Sequence, residues 1–217
     1  MSRPRRIVAC SSAAAAVIVY AVMWVGCRQE WSWLHRFDWW LLDAARGDAL
    51  RHPVWVRFWD GASFALGPVP LRVLGTAAAV AAVARRRVRA ALMLLACAPL
   101  SGLVTAAAKG LADRPRPSTM LVAAPSTSFP SGHALEATAA LCALLTVLLP
   151  ATSRAMARAA IALTALCLLA VGIARVALNV HYPSDVLAGW SLGYLYFLLC
   201  LLVFRPPSIT AQLPDRV

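Results

Sequence analysis

The sequence predicts an all-α integral membrane protein with six transmembrane helices and short interfacial helices on the extracytoplasmic side. First, 61% of its 217 residues are hydrophobic and only 14% are charged, a composition typical of bilayer proteins. Second, six apolar stretches are near the length of about 20 residues that a helix needs to cross the hydrocarbon core. Third, the arginines form short clusters between these stretches.

The predicted transmembrane helices follow the apolar stretches in order. They are Ile7–Cys27, Ala62–Ala84, Ala90–Ala108, Ala134–Leu149, Ala159–Leu178 and Val186–Phe204. The fourth is the shortest, and Pro150 ends it because proline cannot continue a helix. Gly67, Pro68 and Pro70 interrupt the start of the second, so we expect its helix to begin later than Ala62.

Six tryptophans lie between the first two apolar stretches, among charges of both signs. Tryptophan favours the headgroup level because its ring is partly polar and mostly apolar. We therefore expect short helices on the outer surface, acting either as a platform through which lipid reaches a site or as an anchor alone. The chain then divides into an N-terminal helix with the Trp-rich segment (1–61), a core of five transmembrane helices (62–204) and a cytoplasmic tail (205–217).

The arginine clusters predict the orientation. With six crossings they all fall on one side, which the bias of short cytoplasmic loops makes the inside. The clusters are Arg3, Arg5 and Arg6; Arg85, Arg86, Arg87 and Arg89; Arg154 and Arg158; and Arg205. Both termini are thus expected in the cytoplasm of a cell whose inner or plasma membrane holds the protein. A cleaved secretory signal is the alternative for the first stretch, although no small-x-small pattern marks a cleavage site near Cys27.

The net charge of +12 does not indicate a nucleic-acid partner, because the chain has no basic stripe with interleaved aromatic residues. Six cysteines without paired spacing indicate neither a zinc site nor a disulfide framework. The oligomeric state has no clear signal in the sequence.

Three polar segments fall in the loops predicted to be outside. The only lysine, Lys109, opens a run that ends in Arg116-Pro117, and twenty arginines supply the other cations. The second segment is Pro130-Ser131-Gly132-His133, and the third contains Arg175, His181 and Asp185. Convergence of these groups at one face would make a site for a small tetrahedral anion, so the sequence predicts a phosphate-handling site.

Phosphate-ester hydrolysis needs a nucleophile, an acid for the leaving oxygen and fixed positive charge. Asp185 follows His181 by four residues, so it can accept one ring N–H and leave the other nitrogen free for attack. His133 is expected at the start of the fourth helix, where free N–H groups favour an anion and its ring can act as the acid.

Fixed positive charge is expected from Lys109, Arg116 and Arg175 around the phosphoryl oxygens. Lys109 and Arg175 lie on the outer side against the prevailing charge bias, which favours a functional role. No carboxylate cluster suits a metal ion, so neither a metal nor a cofactor is expected.

These three segments resemble, in order and spacing, the signature motifs of the type 2 phosphatidic acid phosphatase superfamily, over the range Ala62–Phe204. The resemblance implies a phosphohistidine intermediate at His181, a general acid at His133, and phosphate contacts from Ser131 and Gly132. The family commonly has serine before the third-motif arginine, whereas this chain has Ala174. We expect that difference to tune the rate or the substrate preference.

Three further charged residues are accessory candidates. Arg114 lies two residues before Arg116 and is a candidate for a second phosphate or a headgroup. Glu136 lies one helical turn beyond His133, where it either orients that ring, pairs with Arg175 or complements the helix dipole. Arg72 in the second stretch either pairs with Glu136 or extends to the membrane surface.

The expected function is hydrolysis of a lipid phosphate or diphosphate, with membrane lipids as the other partners. Polyprenyl diphosphate, phosphatidic acid and phosphatidylglycerol phosphate are the candidate substrates. Arg114 favours the polyprenyl diphosphate slightly, as in an undecaprenyl diphosphatase. The alternatives are a catalytically silent lipid-binding protein or a lipid flippase on the same fold, and more distantly a haloperoxidase.

Overall fold

A computed structural model of the chain describes residues 3–206, and its regular elements there are helices. The residues 207–217 of the predicted tail lie outside this range. The α-helices are α1 Arg3–Arg28, α2 Ser32–Arg51, α3 Pro53–Ala65, α4 Pro68–Ala84, α5 Val88–Cys97, α6 Ser101–Ala112, α7 Gly132–Leu148, α8 Arg154–Ala177 and α9 Pro183–Phe204. A short 3₁₀ helix, Leu149–Ala151, follows α7.

The long helices are those of a multi-pass membrane protein. Within residues 3–206, five helical segments are long and apolar enough to cross a bilayer, with α3–α4 and α5–α6 each counted as one segment. The fourth predicted span, α7, is apolar but has only 17 residues. Six crossings therefore stay a prediction, although exposed apolar side chains such as Ile18, Val80 and Leu166 suit a lipid environment.

Two of the predicted spans are interrupted. Gly67 separates α3 from α4 in an extended conformation, and Pro68 begins α4, so the later start expected for this helix is confirmed. The third predicted span is wrong as a single helix because α5 ends at Cys97 and α6 begins at Ser101. Pro99 lies in this break and cannot donate a helical backbone hydrogen bond.

The packing of α7 against α9 positions the site. A Cβ atom built on Gly189 would lie 2.6 Å from the carbonyl oxygen of Ser131, and one built on Gly193 would overlap the backbone of Leu135. These two glycines allow the two helices to approach closely. As a result the N-terminal ends of α7 and α9 lie side by side, with the Ser131 N–H donating to the Asp185 carbonyl at 2.9 Å.

The Trp-rich segment forms α2 and α3, which pack against α8 and α9. Leu34 and Leu42 of α2 are buried, and the Asn179 side chain donates to the Leu42 carbonyl oxygen at 3.2 Å. Trp33 and Trp40 remain exposed. The predicted domain boundary at residue 62 falls within α3, and the interfacial placement of both helices stays a prediction.

Candidate active site

Residues of all three predicted motif segments line one cavity of about 530 Å³. Its walls are the ends of α3, α4, α6, α7 and α8, together with the loop 122–126 and the turn before α9. The predicted site residues in this lining are Lys109, Arg116, Gly132, His133, Glu136, Arg175 and His181. The structure therefore brings together groups that are up to 72 positions apart in the sequence.

His181 is buried in the turn between α8 and α9. Its Nε2 atom lies 3.2 Å from Nη1 of Arg116, on the cavity side. Its Nδ1 atom lies 3.4 Å from Oδ2 of Asp185. The geometry of this contact is not that of a hydrogen bond, and Nδ1 has no other partner among the described residues. Burial lowers the pKa of His181 to about 3, although Asp185 opposes this shift. The imidazole is thus neutral at physiological pH, and its Nε2 atom lies within hydrogen-bond distance of the Arg116 guanidinium.

The Asp185 carboxylate is held rigidly behind His181. Its Oδ1 atom accepts from Nη1 of Arg114 at 2.6 Å, and its Oδ2 atom accepts from the Tyr182 N–H at 2.9 Å. The Ser128 hydroxyl also donates to Oδ2. Because these donors satisfy the buried carboxylate, it remains a fixed acceptor facing the histidine ring.

Arg114 lies behind the site and is absent from the lining of the cavity that contains His181. Its guanidinium donates to Asp38 at 2.9 Å, to Asp185 at 2.6 Å and to the Ser184 hydroxyl at 2.8 Å. It also stacks 3.9 Å above the ring of Tyr182. Burial by itself lowers the pKa of Arg114, but Asp185 and Asp38 outweigh it and raise that pKa above its ordinary value. Arg114 therefore positions Asp185 in this structure, and it lines a separate cavity of about 660 Å³.

Asp38 of α2 is a site residue that the sequence reasoning missed. Its buried carboxylate accepts from the Ser184 N–H at 2.9 Å and from the Ser184 hydroxyl at 2.6 Å, in addition to Arg114. Burial raises the pKa of Asp38, while Ser184 and Arg114 oppose that effect. One local feature of the sequence points to Asp38, since Trp39, Trp40 and two leucines follow it directly. A charge among apolar residues is costly unless it is paired, so this carboxylate needs a partner.

Lys109 and Arg116 are anchored by backbone carbonyls at the rim of the cavity. The Lys109 ammonium donates to the Thr127 carbonyl. The Arg116 guanidinium donates to the carbonyls of Ser126 and Val180, each at 2.5 Å. Burial lowers the pKa of Arg116, opposed by Asp185, but an arginine stays charged at neutral pH. Both cations are thus oriented toward the space beside His181.

Arg175 and Ser131 each have an uncommitted buried group. Nη1 of Arg175 donates to the Ser63 hydroxyl at 2.7 Å, whereas its buried Nε has no partner among residues 3–206. The Ser131 hydroxyl is also buried without a partner in this part of the chain. Buried polar groups are normally satisfied, and Arg175 lines the cavity, so its Nε suits an oxygen of a bound oxyanion; Ser131 is absent from the lining.

Helix α3 contributes two residues that the sequence reasoning also missed. Ser63 holds Arg175, and Asp60, one turn earlier, lines the cavity. Ala174 is buried and supplies no hydroxyl, so the hydroxyl beside the third-motif arginine comes from α3. No sequence spacing links Ser63 to Arg175, since 112 positions separate them.

Gly132 and His133 lie at the N-terminus of α7. Ser131 is the N-cap residue and makes no side-chain capping bond, so the first N–H groups of the helix remain available to an anion. A Cβ on Gly132 would lie 2.8 Å from the Thr105 methyl carbon, so no other residue fits here without displacement. The His133 ring lies against Gly67, where a Cβ would be 3.3 Å from its Nε2 atom.

Glu136 forms an ion pair with Arg72, one of the predicted alternatives. Its Oε2 atom accepts from Nη2 of Arg72 at 2.6 Å and from Nε at 3.1 Å. Glu136 also lines the cavity one turn below His133. No hydrogen bond joins it to Arg175 or His133 within the described chain.

Among residues 3–206 no cluster of three histidine, cysteine or acidic side chains could hold a metal ion. The arrangement as a whole combines a neutral imidazole backed by a carboxylate, a second imidazole and three cations around one space. Such a site can attract an oxyanion, present a nucleophile to its central atom and stabilise the charge that develops during displacement.

Comparison with known proteins gives the same family as the motifs. The PAP2 superfamily model matches residues 90–207, which contain all three motif segments and leave out Asp38, Ser63 and Arg72. Among solved structures, the chain is similar to the crystal structure of the first transmembrane PAP2 type phosphatidylglycerolphosphate phosphatase from Bacillus subtilis. The TM-score is 0.75 at 24% identity, and the match covers 95% of this chain and 99% of that one. This likeness establishes the shared fold.

Proposed function

Since the chain belongs to the PAP2 superfamily, we propose that it is a membrane phosphatase that hydrolyses a lipid phosphate or diphosphate. The observation that carries this proposal is the shared cavity in which His181, His133 and the cations Lys109, Arg116 and Arg175 meet. The apolar helices around the cavity favour a lipid over a water-soluble phosphate ester. The solved structure of similar fold is that of a phosphatase acting on phosphatidylglycerol phosphate, which is one of the candidate substrates.

In the proposed first step, Nε2 of His181 attacks phosphorus and the bond from phosphorus to the lipid oxygen breaks. His133 donates a proton to that leaving oxygen, and the lipid alcohol departs. Asp185 stabilises the positive charge that develops on the His181 ring. The Lys109, Arg116 and Arg175 side chains stabilise the equatorial oxygens of the transition state.

In the second step, a water molecule attacks the phosphorus atom of the phosphohistidine, and His133 accepts a proton from that water. The phosphorus–nitrogen bond breaks, inorganic phosphate leaves, and His181 returns to its neutral form. The fixed cations neutralise the phosphoryl oxygens in this scheme, so we propose that activity requires no metal ion.

The proposal is tested with detergent-purified protein and a panel of lipid phosphates that includes phosphatidic acid, phosphatidylglycerol phosphate and polyprenyl mono- and diphosphates. We expect phosphate release from at least one of them in excess chelator, and its loss in His181→Ala and His133→Ala. Brief incubation with a phosphorus-labelled substrate should label the wild type through an acid-labile, base-stable bond, which is typical of phosphohistidine. Lipid movement between leaflets without phosphate release would instead support a flippase, and oxidation of halide by peroxide would support a haloperoxidase.

A further inference from the structure

The second cavity, of about 660 Å³, lies where the C-terminal ends of α1 and α6 meet the start of α2. Its lining carries charges of both signs, from Arg28, Arg36 and Arg114 and from Glu30 and Asp113. Among residues 3–206, no residue lines both this cavity and the candidate active site. It is therefore a separate place on the molecule, which the proposed phosphatase reaction does not use.

An apolar groove of about 510 Å³ runs along the same two helices and is completed by Leu192 of α9. The groove lining reaches Val25 on α1 and Leu111 on α6, and the lining of the polar cavity begins at Gly26 and Ala112. The change from apolar to polar thus falls at adjacent positions on both helices. A phospholipid has the same arrangement, with an apolar acyl chain that leads to a charged headgroup.

Two arginines of the polar cavity suit a phosphate group. The Arg28 guanidinium donates to the carbonyl oxygen of Ala112 at 3.4 Å, which holds it across the ends of α1 and α6. Arg36, in the second turn of α2, lines the same cavity. A guanidinium binds phosphate oxygens through parallel N–H groups, so these two side chains suit the phosphate of a headgroup.

Two carboxylates of the polar cavity suit a cation. Glu30 lies just after α1 and Asp113 just after α6, and their φ angles are 52° and 46°. The C-terminal end of a helix carries a partial negative charge, which favours a cation beside it and disfavours an acidic side chain alone. Trp31 also lines the cavity and offers the face of its ring to a cation. These three residues therefore suit an ammonium group.

The charges of the cavity are not paired with one another. The ion pairs within residues 3–206 include none of Arg28, Arg36, Glu30 and Asp113. Arg114 is committed to carboxylates outside the cavity lining. Two positive and two negative side chains are thus left to a ligand, and this balance complements a zwitterion better than a purely anionic headgroup.

We propose that the polar cavity and the apolar groove together bind one zwitterionic phospholipid of the surrounding bilayer, which is not the substrate. Its phosphate binds Arg28 and Arg36. Its ammonium group binds Glu30 and Asp113 and lies against Trp31. One acyl chain lies along the groove between α1 and α6. This proposal stands apart from the phosphatase function and does not depend on it.

The headgroup part is tested by titrating detergent-purified protein with phosphatidylethanolamine or phosphatidylglycerol of equal acyl chains and measuring bound lipid by native mass spectrometry. We expect phosphatidylethanolamine to bind at least about tenfold more tightly, the effect of roughly one hydrogen bond between charged groups. Glu30→Gln with Asp113→Asn should abolish this preference. Arg28→Gln with Arg36→Gln should weaken both lipids at least about tenfold, because both contain a phosphate. Arg46→Gln, at an exposed position of α2, is the control and should change neither affinity.

The acyl-chain part is tested by a matched pair of substitutions on α6. Ala107 and Ala106 are both exposed, but Ala107 lines the groove and Ala106 does not. Ala107→Phe should fill the groove and weaken phosphatidylethanolamine binding, while every headgroup contact stays in place. Ala106→Phe should leave the affinity unchanged.

Four results would overturn the proposal. The first two are equal wild-type affinities for the two lipids and equal affinities of the Ala107→Phe and Ala106→Phe variants. The third is displacement of the lipid by an equal concentration of the soluble headgroup glycerophosphoethanolamine, because the groove would then contribute nothing. The fourth is loss of binding in Lys109→Gln, which alters only the candidate active-site cavity and would place the lipid there.

Discussion

At the level of single residues, the candidate site places a neutral imidazole in front of a fixed carboxylate. Burial keeps His181 unprotonated, while Arg114, Ser128 and the Tyr182 N–H hold Asp185 as an acceptor. The ring is thus oriented before substrate arrives, which lowers the reorganisation needed in the transition state.

Replacing Asp185 by Asn should lower kcat roughly 100- to 10,000-fold, because the amide neither fixes the ring tautomer nor stabilises its positive charge. KM should change much less, since Asp185 does not line the cavity. Steady-state kinetics on the best lipid substrate measure both. Asp43→Asn, at an exposed position of α2, is the control. Full kcat in the Asp185→Asn variant would contradict the role proposed for Asp185.

The buried His181 predicts a pH dependence of stability. Its pKa is about 3 in the folded protein against 6.5 ordinarily, so below pH 6.5 the unfolded chain binds a proton that the folded protein does not. Its contribution to stability is therefore full above pH 6.5 and is lost as the pH falls toward 3. Thermal unfolding in detergent at pH 7 and pH 4.5 should show a smaller decrease in Tm for His181→Asn than for the wild type. Equal decreases would argue against a neutral buried histidine.

At the level of helices, two packing contacts outside the motifs assemble the site. Asp38 ties α2 to the first turn of α9 through Ser184, and Ser63 ties α3 to Arg175. The Trp-rich segment therefore holds Arg175 directly, and it holds Asp185 through Arg114.

Substituting Asp38 by Ala should destabilise the protein by about 3–5 kcal/mol, because Arg114 loses one partner of a buried ion pair. Chemical or thermal unfolding in detergent measures this, with the exposed Asp43→Ala on the same helix as control. Activity should fall as well, since Arg114 also holds Asp185. Unchanged stability of Asp38→Ala would show that α2 contributes little to the fold.

The close approach of α7 and α9 predicts that Gly193→Ala is destabilising. The added methyl group would overlap the Leu135 backbone, and overpacking of this kind costs typically about 1–3 kcal/mol. It would also separate Ser131 from Asp185 at the other end of the helix pair. Gly110→Ala is the matched control, because a Cβ there meets nothing within 4 Å. Similar Tm values for the two variants would contradict the packing argument.

At the level of the whole molecule, the orientation in the membrane decides from which leaflet a lipid can enter the cavity. The arginine clusters predict that the loops after α4 and α7 lie in the cytoplasm, and the cavity lies at the opposite end of the helices. We therefore propose that the site faces the extracytoplasmic leaflet.

A labelling experiment in intact cells tests this orientation. In a variant whose six cysteines are replaced, Ser126→Cys at the cavity rim should react with a membrane-impermeant thiol reagent. Arg86→Cys, in the turn after α4, should react only after the membrane is opened. The reverse pattern would place the site in the cytoplasm.

The sequence by itself determined the apolar helices, the family and the residues that carry the motifs, because hydrophobic length and short-range spacing are local properties of the chain. It offered Arg72 as one possible partner for Glu136, with extension to the membrane surface as the alternative, and the structure shows the pair. It did not show that Arg114 pairs with Asp38 and Asp185, and it missed Asp38, Ser63 and the break at Pro99.

Only the tertiary structure decided which cations face the cavity. Arg114 and Arg116 are two residues apart in an irregular segment, where no helical or strand periodicity fixes the direction of a side chain. Their different surroundings follow from the packing of α2, α6 and α9. This packing places Asp38 beside Arg114 and the cavity beside Arg116. Contacts across more than a hundred positions, such as Ser63 with Arg175, depend on helix packing that no local pattern encodes.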